Sequence, residues 1–330
     1  MIENPAVPFH DGEKTVQQRV GVREKIEAIG QRVIRDHMPE QHRELFGKLP
    51  TLLIGSLDAQ RRPWASILAG RPGFISTPDE RTLHIAARPL PGDPLAVRLA
   101  PGVPLGLLGL EPQTRRRNRM NGTVTDVGAE GLSVHVDQSF GNCPQYIQSR
   151  SPQWRDEPGA AVGALPAQQL DAGLSRAAHA LMRRADTLFI ASASPQARGH
   201  AGAHGVDVSH RGGRPGFVHV DTGAPHGRSV VSVPDYRGNF MFNTLGNIAA
   251  HPHAGLLFID YASGDLLQLT GRAEIVWDGL ALQPFEGAQR LLRIEVEMGR
   301  WMPGAVPLRW SAPEFAPQLA ASGGSGEGGA

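Results

Sequence analysis

The sequence has little cysteine, few aromatic side chains and almost no net charge. Its 330 residues include a single cysteine, Cys143, so a disulfide within the chain is excluded. Aromatic residues make up 6% of the chain, and 33 basic residues nearly balance 32 acidic ones. A chain with a net charge of +1 is not expected to have a nucleic acid as its main partner.

Long hydrophobic runs and common nucleotide or hydrolase motifs are also absent. No stretch reaches the ~20 apolar residues that cross a bilayer, and the N-terminus, MIENPAVPFHDGEKTV, has no apolar signal core. We therefore expect a cytoplasmic protein without a membrane partner. GxSxG, a Walker-type phosphate loop and GxGxxG do not occur, which removes the usual signatures of serine hydrolases and of common nucleotide-binding folds.

Glycine and proline are abundant instead, with 40 and 27 residues, which predicts many turns and short strands. An apolar stripe with capping-box spacing at Thr15 and Gln18 predicts a helix over residues 13–38, ended by Pro39. A second leucine-bearing stripe predicts a helix over 170–185. HVDQ at 135–138 and RIEVEM at 293–298 alternate as strands with one buried face do.

Four phrases recur in the same order, one of them identically and three in similar form. They are TLLIGS at 51–56 and TLFIAS at 187–192, RPGF at 71–74 and 214–217, PLGLLGLE at 104–111 and HAGLLFID at 253–260, and NGTVTDV at 121–127 and TGRAEIV at 270–276. The ordered set indicates a duplicated β-rich module. We predict an N-terminal helical segment at 1–40, modules at 41–148 and 170–310, a linker at 149–169 and a disordered tail at 311–330.

The second module carries the densest group of polar residues. Asn243, Thr244 and Asn247 lie where NFMF, predicted as a strand, meets a predicted short helix, and free backbone N–H groups at such a point bind anions. Helix capping alone is an equal alternative. Arg211 and Arg214 flank a Gly-Gly pair and could bind a phosphate, although this stretch taken alone favours a solvated turn.

Arginines in TRRRNRMNG, residues 114–122, form the strongest run of charge. On a strand, Arg115, Arg117 and Arg119 share one face, while Arg116 and Asn118 share the other. Such a strand either meets an anion or is a charged edge strand that resists pairing.

Histidines and the cysteine give weaker signals. HAGAH at 200–204 has the i,i+4 spacing of a helical metal pair but lies among glycines, so we predict no metal site. A lone cysteine such as Cys143 is more often a small buried apolar residue than a nucleophile.

Longer phrases resemble the pyridoxamine 5′-phosphate oxidase-related family of FMN-binding split barrels, in particular its two-module members. The matching phrases are FHDGE (9–13), RVIRDHMPEQHRE (32–44), RPWASILAGRPGF (62–74), PLPGDPL (89–95), RRRNRMNG (115–122), SFGNCPQYIQ (139–148), SHRGGRPGFV (209–218), NTLGN (243–247), GDLLQLTGRAEI (264–275) and PLRW (307–310). The resemblance implies a mainly β fold with flanking helices, in which two tandem split β-barrels form an intrachain pseudo-dimer.

It also implies where FMN would bind. FNTLGN resembles the first part of the family's phosphate-binding segment, while the Ser-Arg-Lys part that usually follows is missing. Relatives have a polar residue on this strand that reaches across the interface. The corresponding position is Arg117 in the first module and the apolar Leu266 in the second. This predicts one composite FMN site, with the flavin ring near Ser66 and the RPGF segments. The candidate cofactor-binding residues are Ser66, Arg71, Arg117, Ser209, Arg211, Arg214, Asn243, Thr244 and Asn247.

The implied function is that of an FMN-dependent oxidoreductase acting on a small molecule, with electrons from NAD(P)H or from a reductase partner. A C-terminal Arg-His pattern typical of pyridoxal-forming members is absent, so that reaction is not expected. A protein that binds haem or another cofactor without turnover is the alternative, favoured by the histidines of residues 200–226. The pseudo-dimer is compatible with a monomer or with a homodimer.

Overall fold

The structure, a computed structural model, describes residues 7–155, 165–223 and 227–319. Within these ranges the chain is mainly β with short flanking helices, as the sequence predicts. None of the helices in the described ranges has the length and apolar character needed to cross a membrane. The end of the predicted tail, residues 320–330, lies outside the described residues, as does part of the predicted linker.

The N-terminal segment contains two helices where the sequence predicts one. They are α1 (Asp11–Arg19) and α2 (Arg23–Val33). Gly21 separates them in a left-handed conformation, with φ 73°, that most other residues adopt only at a cost. The capping box of α1 is formed by His10 and Glu13 rather than by the predicted Thr15 and Gln18.

The first module consists of α3 (Glu40–Lys48), a short α4 (Pro94–Arg98) and an antiparallel sheet in the spatial order β2-β1-β5-β6-β7-β4-β3. Its strands are β1 (Thr51–Leu57), β2 (Pro63–Ala69), β3 (Ile75–Asp79), β4 (Thr82–Ile85), β5 (Pro104–Glu111), β6 (Arg116–Val127) and β7 (Leu132–Gly141). Alternating burial along β7 confirms the predicted strand at 135–138.

The second module repeats this architecture with α5 (Arg176–Arg184), α6 (Asn243–Ala250) and the order β11-β10-β14-β15-β16-β13-β12. After β8 (Pro152–Trp154) and β9 (Gln168–Asp171), its strands are β10 (Thr187–Ala193), β11 (Val206–Gly212), β12 (His219–Asp221), β13 (Val230–Asp235), β14 (His253–Ile259), β15 (Leu266–Val276) and β16 (Arg290–Met302). The helix predicted over 170–185 begins only at residue 176, because β9 pairs with β16.

Matching details show that the two sheets are copies of one split-barrel module. Ser66 lies opposite Ile54 in the first sheet, and Ser209 lies opposite Ile190 in the second. A register shift occurs at Asn121/Gly122 in β6 and at Thr270/Gly271 in β15.

Each RPGF phrase forms the same turn. In both copies the phenylalanine N–H donates to the arginine carbonyl at 2.9 Å, and the glycine, Gly73 or Gly216, has a positive φ. The repeated phrase therefore marks equivalent turns, each following the edge strand of its sheet.

The two modules pack on each other through a shared apolar core. Leu53, Ile67, Phe189, Val208 and Leu257 belong to one buried cluster that draws on both sheets. Separate clusters fill the interior of each module. The pair therefore forms an intrachain pseudo-dimer with two grooves along the interface, one on each side.

Residues 311–319 are ordered, although the composition of the C-terminus predicts disorder from 311 onward. Strand β17 (Leu308–Trp310) pairs with β8, and Glu314 forms a β-bridge with Ser149. Ala316 is buried, and its N–H donates to Gln148 Oε1 at 2.8 Å. These contacts hold the segment on the protein surface, and local composition does not reveal them.

Candidate functional site

A cavity of about 100 Å³ opens in one of the two grooves between the modules. The first module contributes β6 and residues 142–146, and the second contributes β11, residues 234–242 and the start of α6. Because β6 and β11 both alternate their side chains, Arg117 and Arg119 on β6 face the same groove as Ser209 and Arg211 on β11.

Arg119 is the centre of a buried hydrogen-bond network. Its side chain, 4% exposed, forms an ion pair with Asp207 at 3.1 Å and donates to Asn243 Oδ1 at 3.0 Å and to Ser209 Oγ. Asn121 and Asn247 also donate to the Asp207 carboxylate, at 2.9 and 2.7 Å. Arg119 is thus charge-compensated by the protein itself.

Arg117, two positions along the same strand, has no such compensation. Its guanidinium donates to the carbonyl oxygen of Cys143 at 2.8 Å and to that of His210 at 3.5 Å, and none of the described carboxylates pairs with it. Burial, with Arg211 and Arg119 nearby, lowers the pKa of Arg117 to about 9. A destabilised cation of this kind is stabilised when an anion binds beside it.

Arg211 adds a second, partly compensated cation. It lies 3.6 Å from Asp235, whose carboxylate is also held by Arg290 at 3.0 Å, and its Nε has no hydrogen-bond partner. Burial is the main cause that lowers the pKa of Arg211, and it raises that of Asp235. Arg211 and Arg290 share the Asp235 carboxylate and Arg117 pairs with none of the described carboxylates, so this part of the cavity keeps an excess of positive charge.

The first turn of α6 lines the cavity through Asn243, Thr244 and Leu245. The backbone N–H groups in the first turn of a helix have no intrahelical acceptors, and in α6 no side chain caps them. The predicted strand NFMF before it is not formed, since Phe240 and Phe242 both have φ 61°. Positive φ at two bulky residues is a strained arrangement that directs the chain into the helix beside the arginines.

Helix α1 and its N-cap residue pack against the buried network, a contact that the sequence alone does not indicate. Glu13 accepts a hydrogen bond from the Asn243 amide, and His10 bonds to Asn247 at 2.8 Å. Burial, with the Asp207 charge nearby, raises the pKa of Glu13 well above its usual value. Gly12 permits this contact, because a Cβ there would lie 2.3 Å from the carbonyl oxygen of Gly246.

The predicted site residues fall into two groups, those that line the cavity and those that lie elsewhere. Arg117, Ser209, Arg211, Asn243 and Thr244 line the cavity. The remaining four lie elsewhere: Asn247 is buried behind the cavity on Asp207, Ser66 lies in the other groove, Arg71 lies over the Trp154 ring at 4.4 Å, and Arg214 donates to the carbonyl of Leu319.

The sequence does not indicate that Glu13, His10, Asp207 and Asn121 belong to the site, and it shows Arg119 only as part of a run of charged residues. The capping-box spacing from His10 to Glu13 was present in the sequence, but nothing local connected that helix to Asn243. Their partners in the network lie 40 to 237 positions away along the chain.

The second groove is closed by its own side chains. At the position that Arg119 has in β6, β15 carries Gln268, which donates to Ser66 and to Asp93, each at 3.1 Å. At the position of Arg117 it carries Leu266, which is fully buried. Ser66 donates to Asp93 at 2.6 Å, and burial raises the pKa of Asp93 to about 6. The pseudo-symmetric counterpart of the cationic cavity is therefore filled by side chains that bond to one another.

The histidines of residues 200–226 do not come together within the described residues. His204 bonds to Ser194 at 2.9 Å, His219 stacks on Phe285, and His200 contacts the first module. His210 is fully buried, and burial, with Arg117 and Arg211 nearby, lowers its pKa well below the usual value. Cys143 is half-buried and lines the arginine cavity.

Comparisons with known proteins do not identify a family for this chain. No protein-family model matches the chain, and no curated protein matches it significantly. Among solved structures, HupZ of Group A Streptococcus matches with a TM-score of 0.29 and 12% identity, covering 38% of this chain and 91% of that chain. A single-substitution variant of HupZ matches with a TM-score of 0.28 and 12% identity, covering 38% and 98%. Neither similarity identifies a ligand for this chain.

Proposed function

We propose that this chain is a flavoprotein that binds one FMN in the cationic groove and acts as an oxidoreductase on a small molecule. The observation that carries the proposal is Arg117, a half-buried cation with no carboxylate partner among the described residues, next to Arg211 and the uncapped start of α6. An arginine pair at a helix N-terminus is a recurrent phosphate-binding arrangement.

The residues present fit the phosphate end of FMN. Arg117, Arg211 and the first N–H groups of α6 would hold the phosphate, and the unpartnered Nε of Arg211 is one donor available to it. The cavity of about 100 Å³ is smaller than the ~300–1,000 Å³ of typical cofactor sites. The flavin ring would therefore require the segment 236–242 to move, and it would lie beside Tyr146, Tyr236 and Phe240, which already line the cavity.

Bound flavin would supply the electron-transfer chemistry, and NAD(P)H or a reductase partner would supply the electrons. The protein's own part is to bind and orient. Arg119 and Asp207 keep β6 and β11 aligned across the groove, so that Arg117 and Arg211 stay on opposite walls of the cavity. Cys143, Tyr146 and Tyr236 also line the cavity and would lie close to a bound substrate.

The test is an FMN titration of the purified protein followed by absorption and fluorescence. Arg117→Ala is expected to weaken FMN binding by about 10- to 100-fold, which corresponds to one lost charge-assisted hydrogen bond. Arg116→Ala is the matched control, because Arg116 lies on the opposite face of β6 and donates to the carbonyl of Gln41. Inorganic phosphate should compete with FMN in the wild type.

Equal affinities of the Arg117→Ala and Arg116→Ala variants would count against the phosphate assignment. Failure of the wild-type protein to bind FMN would refute the flavin proposal. A haem Soret band on reconstitution, without flavin binding, would favour the alternative of a haem-binding split barrel.

A further inference from the structure

A second group of polar side chains lies outside the arginine cavity, at another contact between the modules. His135 and Asp137 are two positions apart on β7 and share one face of that strand. His200, from the loop between β10 and β11 of the second module, reaches them. One nitrogen of each imidazole and one oxygen of the carboxylate all lie within 4.8 Å of one another.

We propose that His135, Asp137 and His200 bind a divalent transition-metal ion of the zinc class, which joins the two modules. Two imidazoles and a carboxylate form a donor set that Zn²⁺ accepts readily, with a water molecule completing the tetrahedron. His200 Nδ1 is 3.4 Å from Asp137 Oδ1, close to the separation of ~3.3 Å expected between two tetrahedral ligands at ~2.0–2.1 Å from zinc.

Thr123, a fully buried residue of β6, supports two of the three ligands. Its hydroxyl donates to Asp137 Oδ2 at 2.6 Å and accepts from the His200 backbone N–H at 2.8 Å. Asp137 Oδ1 is thereby left facing the histidine. Hydrogen bonds of this kind orient metal ligands and are a regular part of metal sites.

Two backbone features of the loop between β10 and β11 place His200 against the first module. His200 has φ 55°, in the left-handed region that non-glycine residues seldom adopt. A Cβ at the preceding Gly199 would lie 2.6 Å from the carbonyl oxygen of Gly102 and 2.7 Å from Thr123 Cγ2. Only glycine allows this close approach, so the loop is built to place its histidine on the first module.

The spacing seen in the sequence, HAGAH, points to a different pair. His204 bonds to Ser194 and stacks near His10, so it does not join His200. The metal-ligand set is assembled from two modules and could not be read from either one alone.

Zinc titration of chelator-treated protein, by calorimetry, tests the proposal, with Co²⁺ absorption as a probe of tetrahedral nitrogen and oxygen ligation. We expect one zinc per chain and a zinc-dependent rise in melting temperature. His200→Ala should weaken zinc binding at least tenfold, and Thr123→Val should weaken it by about 10- to 100-fold.

His219→Ala is the matched control, because His219 is an exposed histidine of the same module that stacks on Phe285. It should bind zinc as the wild type does. His200 is also exposed, so its replacement should leave the fold intact. Zinc binding with equal affinity in His200→Ala and wild type, or no stoichiometric binding in the wild type, would overturn the proposal. Neither readout depends on flavin.

Discussion

Arg117 and Arg119 occupy the same face of one strand but have different physical roles. Arg119 is buried and forms an ion pair with Asp207, whereas Arg117 donates only to backbone carbonyl groups. Removing one partner of a buried ion pair leaves the other charge uncompensated, while removing an uncompensated cation relieves repulsion. Stability and ligand binding should therefore respond differently at the two positions.

Arg119→Ala is expected to lower the free energy of unfolding by about 3–5 kcal/mol, because it leaves the Asp207 carboxylate without its counter-charge. Arg117→Ala should leave the stability of the ligand-free protein unchanged or slightly higher. Urea unfolding of both variants measures the difference. A larger loss of stability in Arg117→Ala than in Arg119→Ala would contradict these roles.

Asp93 gives a residue-level prediction for pH. Burial raises its pKa to about 6 from an ordinary value of 3.8. The unfolded chain therefore releases this proton at lower pH than the folded protein, so the contribution of Asp93 to stability falls as pH rises from about 4 to about 6 and stays low above that. Asp93→Asn should reduce the loss of stability between pH 4.5 and pH 7.5 by about 2 kcal/mol, measured by urea unfolding at both values. The same pH dependence in both proteins would show that Asp93 ionises normally.

At the scale of elements, the two modules approach each other through strands that carry glycine. A Cβ at Gly106 of β5 would lie 2.5 Å from the carbonyl oxygen of Val206, and one at Gly255 of β14 would lie 2.4 Å from that of Pro63. The two glycines have equivalent positions in the repeated strands. The interface thus depends on backbone-to-backbone packing on both sides of the pseudo-dimer.

Gly106→Ala and Gly255→Ala are each expected to destabilise the protein by about 1–3 kcal/mol, because the neighbouring backbone must shift. Gly106 also packs against Asp207, so its replacement should weaken FMN binding as well, whereas Gly255→Ala should not. Gly141→Ala, where a Cβ would meet nothing within 4 Å, is the control. Thermal unfolding and FMN titration together measure the effects. A destabilisation no greater than that of Gly141→Ala would argue against close packing.

For the whole molecule, duplication creates two equivalent grooves, but substitution has made them different. Arginines line the first, while the second contains Leu266 together with Gln268, Ser66 and Asp93, which bond to one another. A pseudo-dimer can in this way keep the scaffold of a symmetric protein and use only one of its two interface sites.

Flavin released from the reconstituted protein by denaturation is therefore expected at one equivalent per chain. In the closed groove the positions of Arg117 and Arg119 are occupied by Leu266 and Gln268, neither of which offers a cation to a phosphate. Arg117→Ala, reconstituted at the same FMN concentration, should retain much less. Two equivalents per chain would refute the asymmetric arrangement.

Short-range patterns predicted much of the fold. The repeated phrases correctly indicated two copies of one β-rich module, because each strand and turn is specified by residues within a few positions of each other. The single helix predicted over 13–38 is interrupted by Gly21, a local signal that the apolar stripe outweighed. The predicted strand NFMF fails because Phe240 and Phe242 take up positive φ. Composition likewise missed the ordered residues 311–319, because their partners lie in other strands.

Sequence by itself determined the duplication, the RPGF turns and the alternation that puts Arg117 and Arg119 on one face. Only the tertiary structure decided that Asp207 neutralises Arg119 and leaves Arg117 uncompensated, that α1 closes the site through Glu13, and that His200 meets His135 and Asp137. The physical reason is range. A turn or a strand face depends on adjacent residues, whereas charge compensation and metal ligation depend on which distant segments the packing of two modules brings within a few ångströms.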